Sequence, residues 1–299
     1  MASLLILKRR IKTAQNVSKT TKAMQMIAAS RLKKAQEAAL SARPYVEKLT
    51  NMSNGISQRV NADSLDKYMI PNGTDKKLVI LISPDKGLCG GMITNLARET
   101  FNFYKENKNT EFITVGKKAN GITRILGADV IASFDFGTTL PKYGAMYPIM
   151  NLVDDYFLNK KSGGVYLIYS EFNSVFSQHP FTKKLLPVQF EAVEGKQEAH
   201  SASVRQAQDK SSGQAETLFE PSVNELLPGL IRHYLEMSVF QTFLESYLSE
   251  QAARMLAMQN ATNNAKDIIE ELKLLYNKTR QEKITAEILD IAGGAYAVN

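Results

Sequence analysis

Tryptophan is absent from the 299 residues, cysteine occurs once, at Cys89, and histidine three times, at His179, His200 and His233. A single thiol excludes an internal disulfide and fits a reducing compartment. The three histidines lie far apart and give no metal-ligand spacing, and neither H-E-x-x-H, C-x-x-C nor G-x-S-x-G occurs. Carboxylates are plentiful, yet none stand as a pair in an apolar setting suited to acid–base work. No catalytic residue, metal or cofactor is therefore expected of this chain. No apolar run approaches the ~20 residues needed to span a bilayer, so the chain is expected to be soluble and to meet a membrane only indirectly. The opening Met-Ala-Ser-Leu-Leu-Ile-Leu-Lys-Arg-Arg puts its charges after a short apolar patch, the reverse of a signal peptide. Proline is also scarce: there are nine, and none follows Pro228.

That last absence leaves the C-terminal stretch free to form one helix of about 75 residues from roughly Ser222, on the order of 110 Å long. Apolar residues fall at Met258, Ala261, Ala265, Ile268, Leu272 and Leu275, and resume at Ile284, Ile288, Ile291, Ala295 and Val298. Alternating steps of three and four draw a single apolar seam along a helix that supercoils with a partner. Ser222-Val-Asn-Glu225, just after Pro221, has the capping-box pattern that starts such a helix. The partner lies at the other end of the sequence. Leu4, Leu7, Ile11 and Ala14 begin a seam that returns at Ala28, Leu32, Ala35, Ala39, Ala42, Val46 and Leu49. Between them the spacing lands on Ser18, Thr21 and Gln25, while Val17, Met24 and Ile27 stand one place earlier, which predicts a drifting stripe. Pro44 is expected to kink this helix. If Ser57 lies beside Ser222, an antiparallel register brings Ser3 near Tyr276. The last residues then form a protruding tip whose Ile284, Ile288, Ile291 and Val298 have no partner within the chain, as a binding surface would.

The middle of the chain alternates. Leu78-Val-Ile-Leu-Ile82 and Val165-Tyr-Leu-Ile-Tyr169 are continuous apolar runs of the kind buried on both faces of a sheet. Phe112–Val115 and Val130–Ala132 are further strands, Lys184–Leu186 an edge strand, and helices are predicted over Met92–Tyr104 and Pro141–Leu158. The predicted architecture is an antiparallel coiled coil of the N- and C-terminal helices with an inserted Rossmann-like α/β domain. Its parts are a first helix over 1–57, the α/β domain over 75–190, a mobile polar segment over 191–217 and the long helix over 218–299. Bulky residues from Leu226 to Tyr247 are expected to pack against the inserted domain.

Net charge is +7, and the first 49 residues hold eleven Lys and Arg against Glu37 and Glu47. This suggests an acidic partner. The residues alone suggest two readings: a nucleic-acid-binding coiled coil, from the basic helix, and a nucleotide-dependent α/β enzyme, from the glycine-rich turn after the first strand. The basic helix lacks the aromatic residues used for stacking on bases. Gly87-Leu-Cys-Gly-Gly91 after the first strand matches neither G-x-G-x-x-G nor G-x-x-x-x-G-K-[ST]. Its glycines read as a tight turn with close helix packing, and Cys89 as a small buried residue.

Four segments carry a resemblance. Ile284-Thr-Ala-Glu-Ile-Leu-Asp-Ile-Ala-Gly-Gly-Ala295 resembles the signature of the gamma subunits of F-type ATP synthases at every fixed position. Thr21–Gln36, Ser83–Gly91 and Glu250–Met258 are similar to that family's other motifs, in the same order. Met92 and Ile93 depart from its usual aromatic residue and asparagine. The resemblance implies a central-stalk rotor subunit that couples ion-driven rotation of the c ring to ATP chemistry in a head of alpha and beta subunits, and that helps regulate ATPase activity and proton flow. It implies contacts with the alpha and beta subunits, the epsilon subunit and the c-subunit ring, with no nucleic acid. It implies head contacts at Met24, Arg254, Gln281, Thr285 and Glu287, and a bearing at the tip. The absence of a transit peptide points to a peripheral protein on the cytoplasmic face of a bacterial cell membrane, a mature organellar chain staying open.

Overall fold

The computed structural model describes residues 4–57, 66–188 and 223–296. Two long helices, α1 (Leu4–Ser57) and α5 (Val223–Tyr296), frame an α/β domain. That domain runs β1 (Lys77–Ile82), α2 (Met92–Glu106), β2 (Thr110–Val115), α3 (Lys117–Leu126), β3 (Asp129–Phe134), α4 (Tyr147–Leu158), β4 (Gly164–Phe172) and β5 (Gln178–Leu186). The predicted segment 191–217, Ser222 of the capping box and Val298 of the tip lie outside the described residues.

The sheet has the order β3-β2-β1-β4-β5, parallel except for the antiparallel edge strand β5. Alternation along β1 assigns its two faces. Val79 and Leu81 join Phe112 and Ile168 beneath α2 and α3, through Leu96, Ala119 and Ile122. Leu78, Ile80 and Ile82 join Leu167 and Tyr169 under α4 and α5, through Ile149, Val153, Leu235, Val239 and Phe243. Both faces are covered, which is why these strands read as unbroken apolar runs. The bulky lower half of α5 packs on the sheet as the sequence suggests.

Several elements depart from the sequence reading. Helix α3 was not predicted, because Gly121 in its middle weakens the helical signal. It forms between Gly116 and Gly127, the latter in the left-handed conformation that ends helices. At Gly116, φ is +97° and an added Cβ would sit 2.0 Å from the Ser83 carbonyl oxygen, so only glycine fits. Strand β5 is longer than the predicted Lys184–Leu186. Pro180 lies within it, opposite Ser170, a residue that an edge strand accepts and that hides the strand in the sequence. The helix predicted from Pro141 begins as a 3-10 turn at Tyr143–Met146.

Helix α1 continues through Pro44. The drifting stripe is not found. Ser18, Thr21 and Gln25 keep the three–four spacing and are half-buried, while Val17, Met24 and Ile27 are 48%, 39% and 53% exposed. Close packing of two helices fixes the seam by geometry, and polar residues occupy it where they fall. Thr21 Oγ1 lies 2.8 Å from Thr262 Oγ1 across the seam, and Thr262 donates to the Met258 carbonyl at 2.7 Å. The α5 seam is corrected in the same way. Its inward residues are Met258, Thr262, Ala265, Ile269, Leu272 and Tyr276, whereas Ile268 and Leu275, placed inside from sequence, are 49% and 47% exposed. Carried along from the threonine pair, the register sets Leu4 level with Thr279, about one turn beyond the predicted partner.

Candidate functional site

The surface that a partner can reach begins where the seam ends. Thr279 is partly shielded, and every residue from Arg280 to Asp290 is exposed. Ile284 and Ile288 are 48% and 60% exposed, with Leu289 beside them at 65%. Leu289 was not among the predicted tip residues, since it stands off the three–four pattern. Ile291 lies on the same helix. Gln281, Thr285 and Glu287 occupy this free stretch. Thr285 returns its hydroxyl to the Gln281 carbonyl at 2.9 Å, and Glu287 pairs loosely with Lys283 at 3.6 Å, both 64% exposed. Such a pair contributes at most about 1 kcal/mol, leaving these groups available to a partner.

Arg254 is placed differently. Its side chain is only 14% exposed and forms a 2.6 Å ion pair with Glu250. Its second amino group donates to the carbonyls of Lys86 and Gly87 at 3.2 and 3.3 Å. Arg254 thus holds the glycine turn of the α/β domain against the shaft. Burial raises the pKa of Glu250, and the Arg254 guanidinium opposes that shift. Asp85 fixes the base of the same turn, accepting from the backbone N–H of Lys117 at 2.9 Å and of Gly137 at 2.8 Å.

The turn itself is conformational. Gly90 has φ +59°, while a Cβ at Gly87, Gly90 or Gly91 would meet nothing within 4 Å. Close helix packing is therefore not the reason for these glycines. Leu88 also has a left-handed φ of 64° and is 62% exposed. Cys89 is buried against Met92 and Ala253, and burial pushes its thiol pKa up, away from a reactive thiolate.

Two further contacts bind α5 to its neighbours near its N-terminal end. Tyr45 on α1 and His233 on α5 are hydrogen-bonded at 2.7 Å. Tyr143 donates to Glu236 at 2.7 Å. Among the described residues no cluster of three His, Cys, Asp or Glu side chains could hold a metal ion, and no helix is long and apolar enough to cross a membrane.

The family model described as ATP synthase matches residues 3–298. The ATP synthase gamma chain of Dehalococcoides mccartyi is 39% identical over 300 residues, covering 100% of both chains. The chain belongs to the ATP synthase gamma chain family. A second gamma chain, from Delftia acidovorans, is 38% identical over 97% of each chain. In fold, the chain is similar to a component of the Euglena gracilis mitochondrial ATP synthase, with a TM-score of 0.66 at 17% identity, covering 99% of this chain and 94% of that one. It is also similar to a chain of the Tetrahymena thermophila central stalk and c-ring structure, with a TM-score of 0.57 at 23% identity, covering 81% and 99%. None of these relatives lends support to the nucleic-acid reading.

Proposed function

We propose that this gamma chain is the rotor shaft of an ATP synthase. Its α1–α5 coil enters a head of alpha and beta subunits, and its α/β domain stands as the foot, against the c-subunit ring and the epsilon subunit. The observation that carries this reading is the unpartnered end of α5. A helix of 74 residues extends past its intramolecular partner and exposes Ile284, Ile288 and Leu289. Such a stripe on a free helix is stabilised by entering an apolar collar, where it acts as a bearing.

The chain's own residues then do mechanical work and no chemistry. The shaft biases the conformational equilibria of the sites around it, which is coupling in the thermodynamic sense. Met24, Gln281, Thr285 and Glu287 are exposed and are assigned to contacts with the head. Arg254 joins them only by exchanging Glu250 for a carboxylate of the head. In a bacterial cell the complex would hold the chain on the cytoplasmic face of the membrane, with no direct bilayer contact.

Reconstitution tests this. The chain should co-purify with alpha and beta subunits in one complex, and Gln281→Ala with Thr285→Ala should lower ATP turnover of that complex several-fold without changing the helix content of the free chain. A chain that never joins the subunits, or an assembled double variant with unaltered turnover, would count against the assignment.

A further inference from the structure

Glu250 sits between two arginines, one on each helix of the coil. It is 4% exposed and lies one turn before Arg254 on α5, whose guanidinium it holds at 2.6 Å through Oε1. Carried along α1 from the Thr21–Thr262 pair, the antiparallel register sets Arg31 level with Ala252, midway between those two residues. Arg31 also lies on their side of the coil. Burial raises the pKa of Glu250, and the guanidiniums of Arg254 and Arg31 both oppose that shift. Tyr247, on the same face of α5 as Glu250, has its pKa raised by burial, and Arg31 opposes that shift as well.

The two arginines are used differently. Arg254 gives one amino group to Glu250 and the other to the carbonyls of Lys86 and Gly87. Arg31 is half-buried and makes no hydrogen bond or ion pair among the described residues. The second carboxylate oxygen of Glu250, Oε2, is closed off from solvent and accepts nothing among them. A buried acceptor left open costs free energy, and a carboxylate more than a neutral group. A buried carboxylate stripped of its only cation is worse still. An unfilled acceptor on α5 and an unpaired cation on α1 thus stand side by side, while the filled contact holds the glycine turn.

We propose that Arg31 is a positioning residue, the reserve partner that closes on Glu250 Oε2 when Arg254 swings away to a partner subunit. This role rests on the assignment of Arg254 to the head under the proposed function. Arg254 cannot leave a buried carboxylate unpaired without a large penalty, and Arg31 keeps the charge matched during the exchange. No charge is gained or lost; only the donor to Glu250 changes. The exchange also reaches the foot. As Arg254 leaves, the Lys86 and Gly87 carbonyls lose their donor, and the turn that holds Leu88 and Gly90 at left-handed φ is released. A contact made on the shaft is thereby passed to the α/β domain through one carboxylate shared by two arginines.

The test has one arm in the isolated full chain and one in the assembled complex. In urea unfolding, Arg31→Ala should change the unfolding constant by less than about two-fold and Arg254→Ala should raise it about ten-fold. The double variant should raise it by on the order of a few hundred-fold, far above the product of the singles. With Glu250→Gln as the background the two arginine substitutions should act independently, because no buried charge is left to strand. Independent effects with Glu250 intact would overturn the reserve pairing. In the complex, Arg31→Ala should lower ATP turnover about five-fold, and Arg31→Lys should restore most of it. Adding Glu250→Gln to Arg31→Ala should bring turnover to within about two-fold of Glu250→Gln alone. An Arg31→Ala effect that persists undiminished beside Glu250→Gln would mean that Arg31 acts on the head directly, and would overturn the inference. So would an assembled Arg31→Ala complex with unaltered turnover. Failure of the wild-type chain to assemble with alpha and beta subunits would instead refute the rotor function, and the unfolding arm would still decide the pairing.

Discussion

Between Leu227 and Ala253, α5 is buried over most of its circumference, with the sheet on one side and α1 on the other. Between Met258 and Thr279 only one stripe is shielded, and from Arg280 to Asp290 nothing is. One continuous helix thus passes through three environments. In the foot, large side chains such as Leu235, Val239 and Phe243 supply the burial that fixes the fold. In the shaft, small and polar residues such as Ala14, Ser18, Thr21 and Ala28 alternate in the seam with Leu7, Leu32 and Met258, so less apolar area is buried per turn than in the foot. At the tip, helix stability falls to intrinsic propensity, which is marginal for so short a segment in water. The difference teaches that this chain keeps its stability where it folds alone and leaves bare what it uses on others.

Truncating a foot residue and a shaft residue of the same type separates the two regimes most strongly. Leu235→Ala should cost about 2–5 kcal/mol in denaturant unfolding, whereas Leu275→Ala, at a position 47% exposed, should stay within about 0.5 kcal/mol. Equal losses would erase the distinction between foot and shaft.

A smaller effect probes the polar seam. Thr262→Val removes one partner of the Thr21 hydrogen bond and should cost about 0.5–1.5 kcal/mol. Adding Thr21→Val makes the layer apolar on both sides and should restore or exceed wild-type stability. A double variant as weak as the sum of the two singles would show the pair to be worth nothing as a pair.

The smallest effect is a slope with pH. Burial raises the folded-state pKa of Glu250 above its ordinary value of 4.5, so proton binding favours the folded chain. The contribution of this group to stability is full below that ordinary value and is lost as pH rises through the raised folded value. Glu250→Gln should remove this part of the pH dependence, with Arg254 keeping a neutral acceptor. A stability–pH curve unchanged by the substitution would show that the carboxyl is not held in a desolvating site.

Much of this architecture was legible in the sequence. Steps of three and four at both ends announced the paired helices, and the apolar runs at Leu78–Ile82 and Val165–Tyr169 announced a sheet covered on both faces. What misled was the choice of seam residues by hydrophobicity. Val17, Met24 and Ile27 drew the stripe away from Ser18, Thr21 and Gln25, and Ile268 and Leu275 drew it away from Ile269 and Tyr276, because apolar residues also line one exposed flank. Spacing, which packing enforces, was the better guide than residue type. Helix α3 and most of β5 were hidden by Gly121 and Pro180, residues whose local preference is overruled by the sheet around them. The head contacts came from resemblance alone, and no pattern within the chain pointed to the Arg254 clamp on the Lys86 and Gly87 carbonyls, which depends on a fold-level approach of distant segments.

The central claim is that the part of α5 beyond Thr279 is a helix completed by a partner. Hydrogen exchange of the isolated chain and of the assembled complex measures it directly. Amides of Gln281 to Tyr296 should exchange within seconds to minutes in the free chain while those of Leu235 to Ala252 stay protected, and the tip should become strongly protected on assembly with alpha and beta subunits. A tip as protected in the free chain as in the complex would contradict the account.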